Sequence, residues 1–121
     1  MEMATLDDLV GPFRTVDGVV VFLGTDAAEV EARVASGVLL CVQSGDGRLM
    51  FPAFQFDALR QPLPHLRAVL AAFDADPRDA WAAALWLAQP DHDLNGRTPA
   101  AALRSTDADF VVELARRAAD I

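Results

Sequence analysis

Apolar residues in the first part of the chain come in short blocks, which predict strands on either side of one helix. Val19–Leu23 and Val38–Val42 are rich in β-branched residues and are predicted to be buried strands. Between them, Thr25 or Asp26 is a candidate N-cap, and Gly37 is suited to end the helix that follows. This part of the chain is therefore expected to mix strands with one amphipathic helix.

A tight turn and a returning strand are predicted next. Ser44–Gly47 contains two glycines and an aspartate, a strong turn signal, and Leu49–Phe56 then returns as a strand. Pro52 has no backbone N–H, so we expect that strand to lie at a sheet edge or to contain a bulge. Further upstream, Leu6–Val10 is a candidate short helix that Gly11-Pro12 ends.

After residue 57 the apolar positions change to helical spacing. Asp76-Pro77 and Thr98-Pro99 each pair an N-cap with proline at the first helical position. Thr106–Asp109 resembles a capping box. Four helices are predicted. The first covers residues 64–73, the second starts after Asp76 and stops before Pro90, and the third covers 99–103. The last helix has an apolar face formed by Phe110, Val111, Leu114, Ala115 and Ala118. The expected fold is α+β: a small β-hairpin and helix module over 1–57, then a four-helix bundle over 58–121.

Composition and charge narrow the possible functions. The 121 residues suffice for one compact domain or two very small ones, and 53% hydrophobic content argues against disorder. A net charge of −8, with arginine as the only basic residue type, makes the chain a poor autonomous DNA binder but suits a basic protein partner. The chain has a single cysteine, and it shows neither a secretory signal nor an apolar run long enough to span a membrane. These features predict a cytoplasmic protein without a membrane partner.

The sharpest local match to a chemical motif is Asp91–Gly96, which follows the first half of a calcium-binding EF-hand loop. The match then fails, because Ala102 stands where a bidentate glutamate is needed and Pro99 lies inside the loop. Cys41 lies in an apolar block without an evident base. We therefore expect no catalytic residue, no metal and no cofactor. The alternative is an enzyme or metal protein built on Asp91, Asp93 and Asn95.

Two tryptophans leave a choice between core packing and partner binding. Trp81 and Trp86 are five residues apart on a predicted helix, which places them about 140° apart around its axis. Both could fill a helical core. Alternatively, one of them anchors a partner, because exposed aromatic residues are typical interface hot spots.

The second half, over about residues 62–120, resembles the toxin-binding domain of the Xre/MbcA/ParS antitoxins. The resemblance rests on four segments in order: Trp86–Pro90, Leu94–Pro99, Leu103-Arg104 and Val111–Ala115. It implies a non-catalytic, antitoxin-like protein that blocks the active-site cleft of a RES-type toxin, an enzyme that consumes NAD. The toxin-binding residues that it suggests are Trp86, Arg97, Leu114, Arg116 and Arg117.

The first half resembles the recognition helix and wing of a winged-helix protein. Gly24–Leu40 would be the helix and the chain that follows it, and Ser44–Arg48 the wing tip. This implies the alternative function, a dimeric transcriptional autoregulator that contacts operator DNA through Arg33 and Arg48. Two features depart from that pattern: the helix is acidic, and Val19–Leu23 is predicted to be a strand where a first helix is needed. We therefore interpret 1–57 as a degenerate winged-helix-like module that packs or dimerises.

Overall fold

The computed structural model describes residues 6–120 and has an α+β architecture. Within the described range the elements are α1 Leu6–Val10, β1 Phe13–Thr15, α2 Val16–Leu23, α3 Ala27–Ala35, β2 Val42–Gln43, β3 Leu49–Pro52, α4 Leu66–Ala72, α5 Trp81–Ala88, α6 Pro99–Leu103 and α7 Ala108–Ala119, with 3-10 turns at Ala53–Gln55 and His92–Leu94. Helix α2 packs against the small antiparallel sheet, and helices α4 to α7 pack mainly against one another.

The sheet has the strand order β1-β3-β2, and both pairings are antiparallel. The predicted turn at Ser44–Gly47 joins β2 to β3, so the hairpin is confirmed. Pro52 is the last residue of β3 and lies opposite Phe13. The prediction that this strand lies at a sheet edge is wrong, because β1 pairs with the side that an edge strand would leave open. Pro52 is tolerated because the strand ends there.

The prediction of a strand at Val19–Leu23 is wrong, because these residues form most of helix α2. The Thr15 hydroxyl caps the helix by accepting a hydrogen bond from Gly18 N at 3.0 Å. Gly24 ends it with a φ of +66°, a left-handed conformation that glycine adopts without strain. Capping at both ends and burial of Val19 outweigh the modest preference of valine for strands.

Helix α3 is confirmed, with Asp26 rather than Thr25 as its cap. The Asp26 carboxylate accepts a hydrogen bond from Glu29 N at 2.8 Å. Gly37 follows the helix with a φ of +78°. Val30 and Val34, one turn apart, are both buried.

The segment that precedes β2 is extended and buried but is not a strand over its full predicted length. Only Val42 and Gln43 pair with β3. Leu39 and Cys41 pack into one hydrophobic cluster with Val19, Val30, Val34 and Phe51. Leu40 and Val42 pack into the other and larger cluster, which includes Val10 and the buried faces of α4 to α7. This segment therefore lies between two cores, and the larger core contains residues from both sides of position 57.

The Gln55 side chain supplies the hydrogen bonds that a neighbouring strand would otherwise provide. Gln55 is fully buried, and its Oε1 accepts from Leu40 N at 2.8 Å while its Nε2 donates to Leu40 O at 2.8 Å. The same Nε2 lies 3.1 Å from Pro52 O. One side-chain amide thus satisfies both backbone groups of Leu40 in a region without water access.

Two predicted helix starts differ from the structure. Asp76 accepts a hydrogen bond from Arg78 N and so stabilises a turn, and α5 begins only at Trp81. The predicted capping box at the start of α7 is wrong, because the N-cap is Asp107 rather than Thr106 and its side chain makes no capping hydrogen bond. The Asp107 carboxylate pairs with Arg97 instead. The start of α6 is confirmed: Thr98 Oγ1 accepts from Ala101 N at 3.1 Å, and Pro99 is its first residue.

The last helix buries most of the face that the sequence predicts. Val111, Leu114 and Ala115 are buried, and α7 packs against α4. Phe110 does not belong to this face, because it is 44% exposed. No helix in residues 6–120 has both the length and the apolar character needed to cross a membrane.

Replacing Gln55 with leucine is expected to destabilise the protein. The change leaves the buried N–H and C=O of Leu40 without partners, which costs about 2–4 kcal/mol of unfolding free energy. Urea denaturation of the full chain measures this. Gln89→Leu, at the exposed end of α5, is the control and is expected to stay within about 0.5 kcal/mol of the parent. Equal stabilities of the two variants would contradict the role assigned to Gln55.

Candidate functional site

Helices α2 and α3 and the β2–β3 hairpin follow one another in the first part of the chain, and α2 packs against both α3 and β3. Gly24–Asp26 connects the two helices, and the hairpin follows α3. The buried face of α3 holds Val30 and Val34. Its outward face is formed by small exposed residues, Ala28, Ala32 and Ala35. This outward face offers methyl groups and lacks a side-chain hydrogen-bond donor.

Both glutamates of α3 are held in ion pairs. Glu29 Oε1 lies 3.0 Å from Arg33 Nε, one turn further along the helix. Glu31 Oε2 lies 2.6 Å from Arg78 Nη1, which comes from the chain before α5. At the C-terminal end of the helix, Arg67 Nε donates to Ser36 O at 2.8 Å. Arg33 of α3 itself and Arg78 from the second half of the chain therefore offset the negative charge of the two glutamates.

The tip of the hairpin presents one cation next to one anion. The Arg48 side chain is 83% exposed, and its Nε lies 3.2 Å from Asp46 Oδ2. The Ser44 hydroxyl donates to the Asp46 carboxylate, and this hydrogen bond is the main reason that the pKa of Asp46 is below its ordinary value. Arg48 N also donates to Ser44 Oγ at 3.0 Å, which fixes the turn.

Arg33, the other predicted DNA contact, faces a different direction from Arg48. Together with Leu59 and Arg60 it lines a groove beside the end of α2. The outward face of α3 and the groove are thus separate surfaces. The two predicted DNA-binding arginines do not converge on one site.

Arg97 holds the loop between α5 and α6 in place. Its Nε donates to Leu94 O at 3.1 Å, and its Nη2 lies 2.8 Å from Asp107 Oδ2, just before α7. Leu114 is buried in the core, with 6% of its surface exposed. These two predicted toxin-binding residues therefore have evident structural roles.

The two tryptophans differ in their surroundings. Trp81 Nε1 donates to Gln43 O at 2.9 Å, and its ring meets Phe13 edge-on at 6.0 Å. Trp86 is half-buried and packs against Phe73, with ring centroids 5.7 Å apart. Trp81 ties α5 to the sheet, whereas Trp86 leaves part of its ring accessible.

The last two predicted toxin-binding residues lie near the C-terminal end of α7, far from Arg97. Arg116 Nη1 is paired with Glu113 at 3.0 Å on the solvent side, and Arg117 is exposed. Asp107, which Arg97 contacts, precedes Arg116 by nine residues, or about 13 Å along the helix axis. The structure does not gather the five residues into one pocket.

The Asp91–Gly96 loop uses its polar groups internally. Asp91 Oδ1 accepts from Asp93 N at 2.8 Å and caps a 3-10 turn, and Asn95 and Gly96 have positive φ angles. In residues 6–120, no three histidine, cysteine or acidic side chains are grouped so that they could hold a metal ion. The calcium alternative therefore gains no support from this loop.

Cys41 is fully buried, and burial raises the pKa of its thiol to about 12. The thiol is consequently protonated at neutral pH and is a poor nucleophile. Its Sγ lies 3.7 Å from Arg78 O and 3.8 Å from Val42 O, in the smaller core. These surroundings fit a packing role.

Sequence reasoning missed the residues that tie the two parts of the chain together. Arg104 Nη2 donates to Gln55 O and Gln61 O, and its Nη1 lies 3.4 Å from Asp57 Oδ2. Arg60 lies against the ring of Phe22, with its guanidinium 5.0 Å from the ring centroid. No local pattern marks these contacts, because the partners are far apart in the chain.

Comparison with known proteins identifies a structure with a similar fold. No family model and no curated protein matches the chain. Among solved structures, the NMR structure of Rv2175c is similar, with a TM-score of 0.70 and 24% sequence identity over 89% of this chain and 81% of that one. At this identity the likeness concerns the fold.

Replacing Arg97 with alanine is expected to lower the unfolding free energy by about 1–2 kcal/mol, since it removes the bond to Leu94 O and the ion pair with Asp107. Thermal and urea denaturation measure the loss. Arg117→Ala removes an exposed arginine without an ion pair among the described residues, and a change within about 0.5 kcal/mol is expected. If Arg97→Ala were as stable as Arg117→Ala, the structural role of Arg97 would be refuted.

Proposed function

We propose that the protein is a regulator whose first part, residues 1–57, is a winged-helix module that docks on DNA. The observation that carries the proposal is the order of elements. A short helix, a strand, two helices joined by a tight turn and a β-hairpin follow one another, and β1 pairs with the far side of β3. This order supports a winged helix, with α3 as the proposed recognition helix and residues 44–48 as the proposed wing.

Two features of the structure favour DNA docking more than the sequence alone does. The predicted strand at Val19–Leu23 argued against a helix-turn-helix, and helix α2 removes that objection. The acidic character of α3 is also less adverse than it appears in sequence, because Glu29 and Glu31 are each paired with an arginine. The paired glutamates therefore repel phosphates less than free ones would, and Arg67 at the end of α3 and Arg48 at the hairpin tip are the arginines that we propose to contact phosphates.

The outward face of α3 suggests how such a module would contact DNA. Ala28, Ala32 and Ala35 allow close approach and methyl contacts with thymine, but they provide no hydrogen bonds to base edges. Binding would depend mainly on arginine–phosphate contacts, which position a protein without reading sequence. The proposed binding is therefore weak, sensitive to salt and of low sequence specificity.

Fluorescence anisotropy of a labelled duplex from the region upstream of the gene tests this function. Binding is expected at low salt and should weaken steeply as salt is added. Arg48→Ala is expected to lower the affinity and reduce the salt slope by about one, whereas Arg48→Lys, which keeps the charge, retains both. No binding at low salt, or an Arg48→Ala variant identical to the parent, would refute the proposal.

A second candidate function is partner binding by the helical part, 58–121, which we propose to be a small bundle of α4 to α7. Helix α5, Trp81–Ala88, consists only of alanine, leucine and tryptophan, a composition typical of a helix buried on all sides. Yet Trp86 and Leu85 are only partly buried and Ala82 is exposed. A partner that covers this side of α5 would complete its burial.

The resemblance to the Xre/MbcA/ParS antitoxins suggests which partner this is. On this proposal the chain is non-catalytic, works in the cytoplasm without a cofactor, and inhibits a RES-type toxin that consumes NAD. Trp86 is the anchor that we favour, and Arg116 and Arg117 remain candidates at the end of α7. A homodimer is compatible with either function.

Co-expression with the product of the adjacent gene tests the antitoxin function. We expect a stable complex that survives size-exclusion chromatography and suppresses NAD consumption. Trp86→Ser is expected to weaken the complex by about tenfold or more, as loss of an aromatic anchor does, while Phe110→Ser on α7 leaves it unchanged. Circular dichroism establishes that both variants are folded. A neighbour that never associates, or a complex indifferent to Trp86→Ser, would rule this function out.

A further inference from the structure

The most exposed large apolar side chains of the described chain lie on one groove. Val21, near the end of α2, is 79% exposed, and Leu59, in the loop after the 3-10 turn, is 78% exposed. Both line a groove of about 450 Å³ together with the arginines Arg33 and Arg60. Apolar side chains exposed together on a surface are typical of a binding site. We call this set, Val21, Leu59, Arg33 and Arg60, the α2-end groove.

The loop that carries Leu59 is fixed by internal bonds. The Asp57 carboxylate accepts from Leu59 N and Gln61 N, both at 2.9 Å, and pairs with Arg104. Arg60 Nη1 donates to Phe22 O at 3.0 Å, which ties the loop to α2. Leu59 is thus presented to solvent by an ordered loop, so the loop would lose little conformational entropy when a partner binds.

The groove differs in charge from the rest of the chain. The whole chain has a net charge of −8, but no acidic residue lines this groove within the described range. Glu29 and Asp57 lie close by, and they are already paired with Arg33 and Arg104. Arg60 has no carboxylate partner among residues 6–120, and its guanidinium lies over the Phe22 ring. A cation without a carboxylate partner, beside two exposed apolar groups, favours an acidic and apolar ligand.

We propose that the α2-end groove docks an acidic, apolar segment of a partner polypeptide. Leu59 and Val21 contact its apolar side chains, and Arg60 pairs with its carboxylates. A symmetric contact between two copies is disfavoured, because a two-fold axis through the groove would bring Arg60 of each copy next to the other. The proposal is independent of DNA docking by α3 and of partner binding by α5, since it uses neither the outward face of α3 nor Trp86.

Selection of a phage-displayed library of random 12-residue peptides against the full chain tests the proposal. The selected peptides are expected to contain aspartate or glutamate next to leucine or phenylalanine. A synthetic peptide of the consensus sequence is then titrated by fluorescence anisotropy. Leu59→Ser and Arg60→Glu should each weaken its binding by about tenfold or more, because each removes a central anchor. Phe110→Ser, on α7, should bind like the parent.

Other outcomes would overturn the proposal. Basic consensus peptides, or binding that Leu59→Ser and Arg60→Glu leave unchanged, would place the site elsewhere. A concentration-dependent dimer in light scattering that Leu59→Ser dissociates would identify a second copy as the occupant. Competition between the peptide and duplex DNA that Arg60→Glu abolishes would assign the groove to nucleic acid. Val21→Ser, on a helix, provides a second apolar variant if Leu59→Ser alters the loop.

Discussion

The structure depends on the burial of a single extended segment between two hydrophobic clusters. Leu39 and Cys41 point into the smaller cluster, and Leu40 and Val42 into the larger one. Such alternation is the geometry of a strand, yet most of this segment has no strand beside it. Its backbone groups would be costly to bury without hydrogen bonds, and the amide of Gln55 supplies them at Leu40. The two halves of the protein are joined by this arrangement.

Arginine carries all the side-chain charge that offsets the acids of this chain, and its geometry suits that role. A guanidinium has five donors in a rigid plane, so Arg104 can bond two carbonyls and one carboxylate at once. Arg97 does the same for a loop and the start of α7. Arg78 reaches from the second half to Glu31 on α3. The excess of acid therefore does not translate into a uniformly repulsive surface.

Much of the fold could be predicted where the signal is local. Asp26 and Thr98 cap helices three residues ahead, and the Ser44–Gly47 turn needs only its own residues. Helix α2 was missed because nearly every position is apolar, so it has no helical periodicity; the cap at Thr15 was the available signal. Gln55 and Arg104 could not be predicted, since their partners lie 15 and 49 residues away. The α2-end groove could not be predicted either, because it is lined by α2 and by a loop some 38 residues later in the chain.

The shared core also bears on how this protein can be dissected. A fragment ending at residue 57 would leave Val10, Leu40 and Val42 facing water, and the complementary fragment would lose the same surface from its own interior. The hydrogen bond between Arg104 and Gln55 O, which links the two fragments, would be lost as well. Isolated halves are thus unsuitable reagents for assigning a function to either module, and point variants in the intact polypeptide are the appropriate tools.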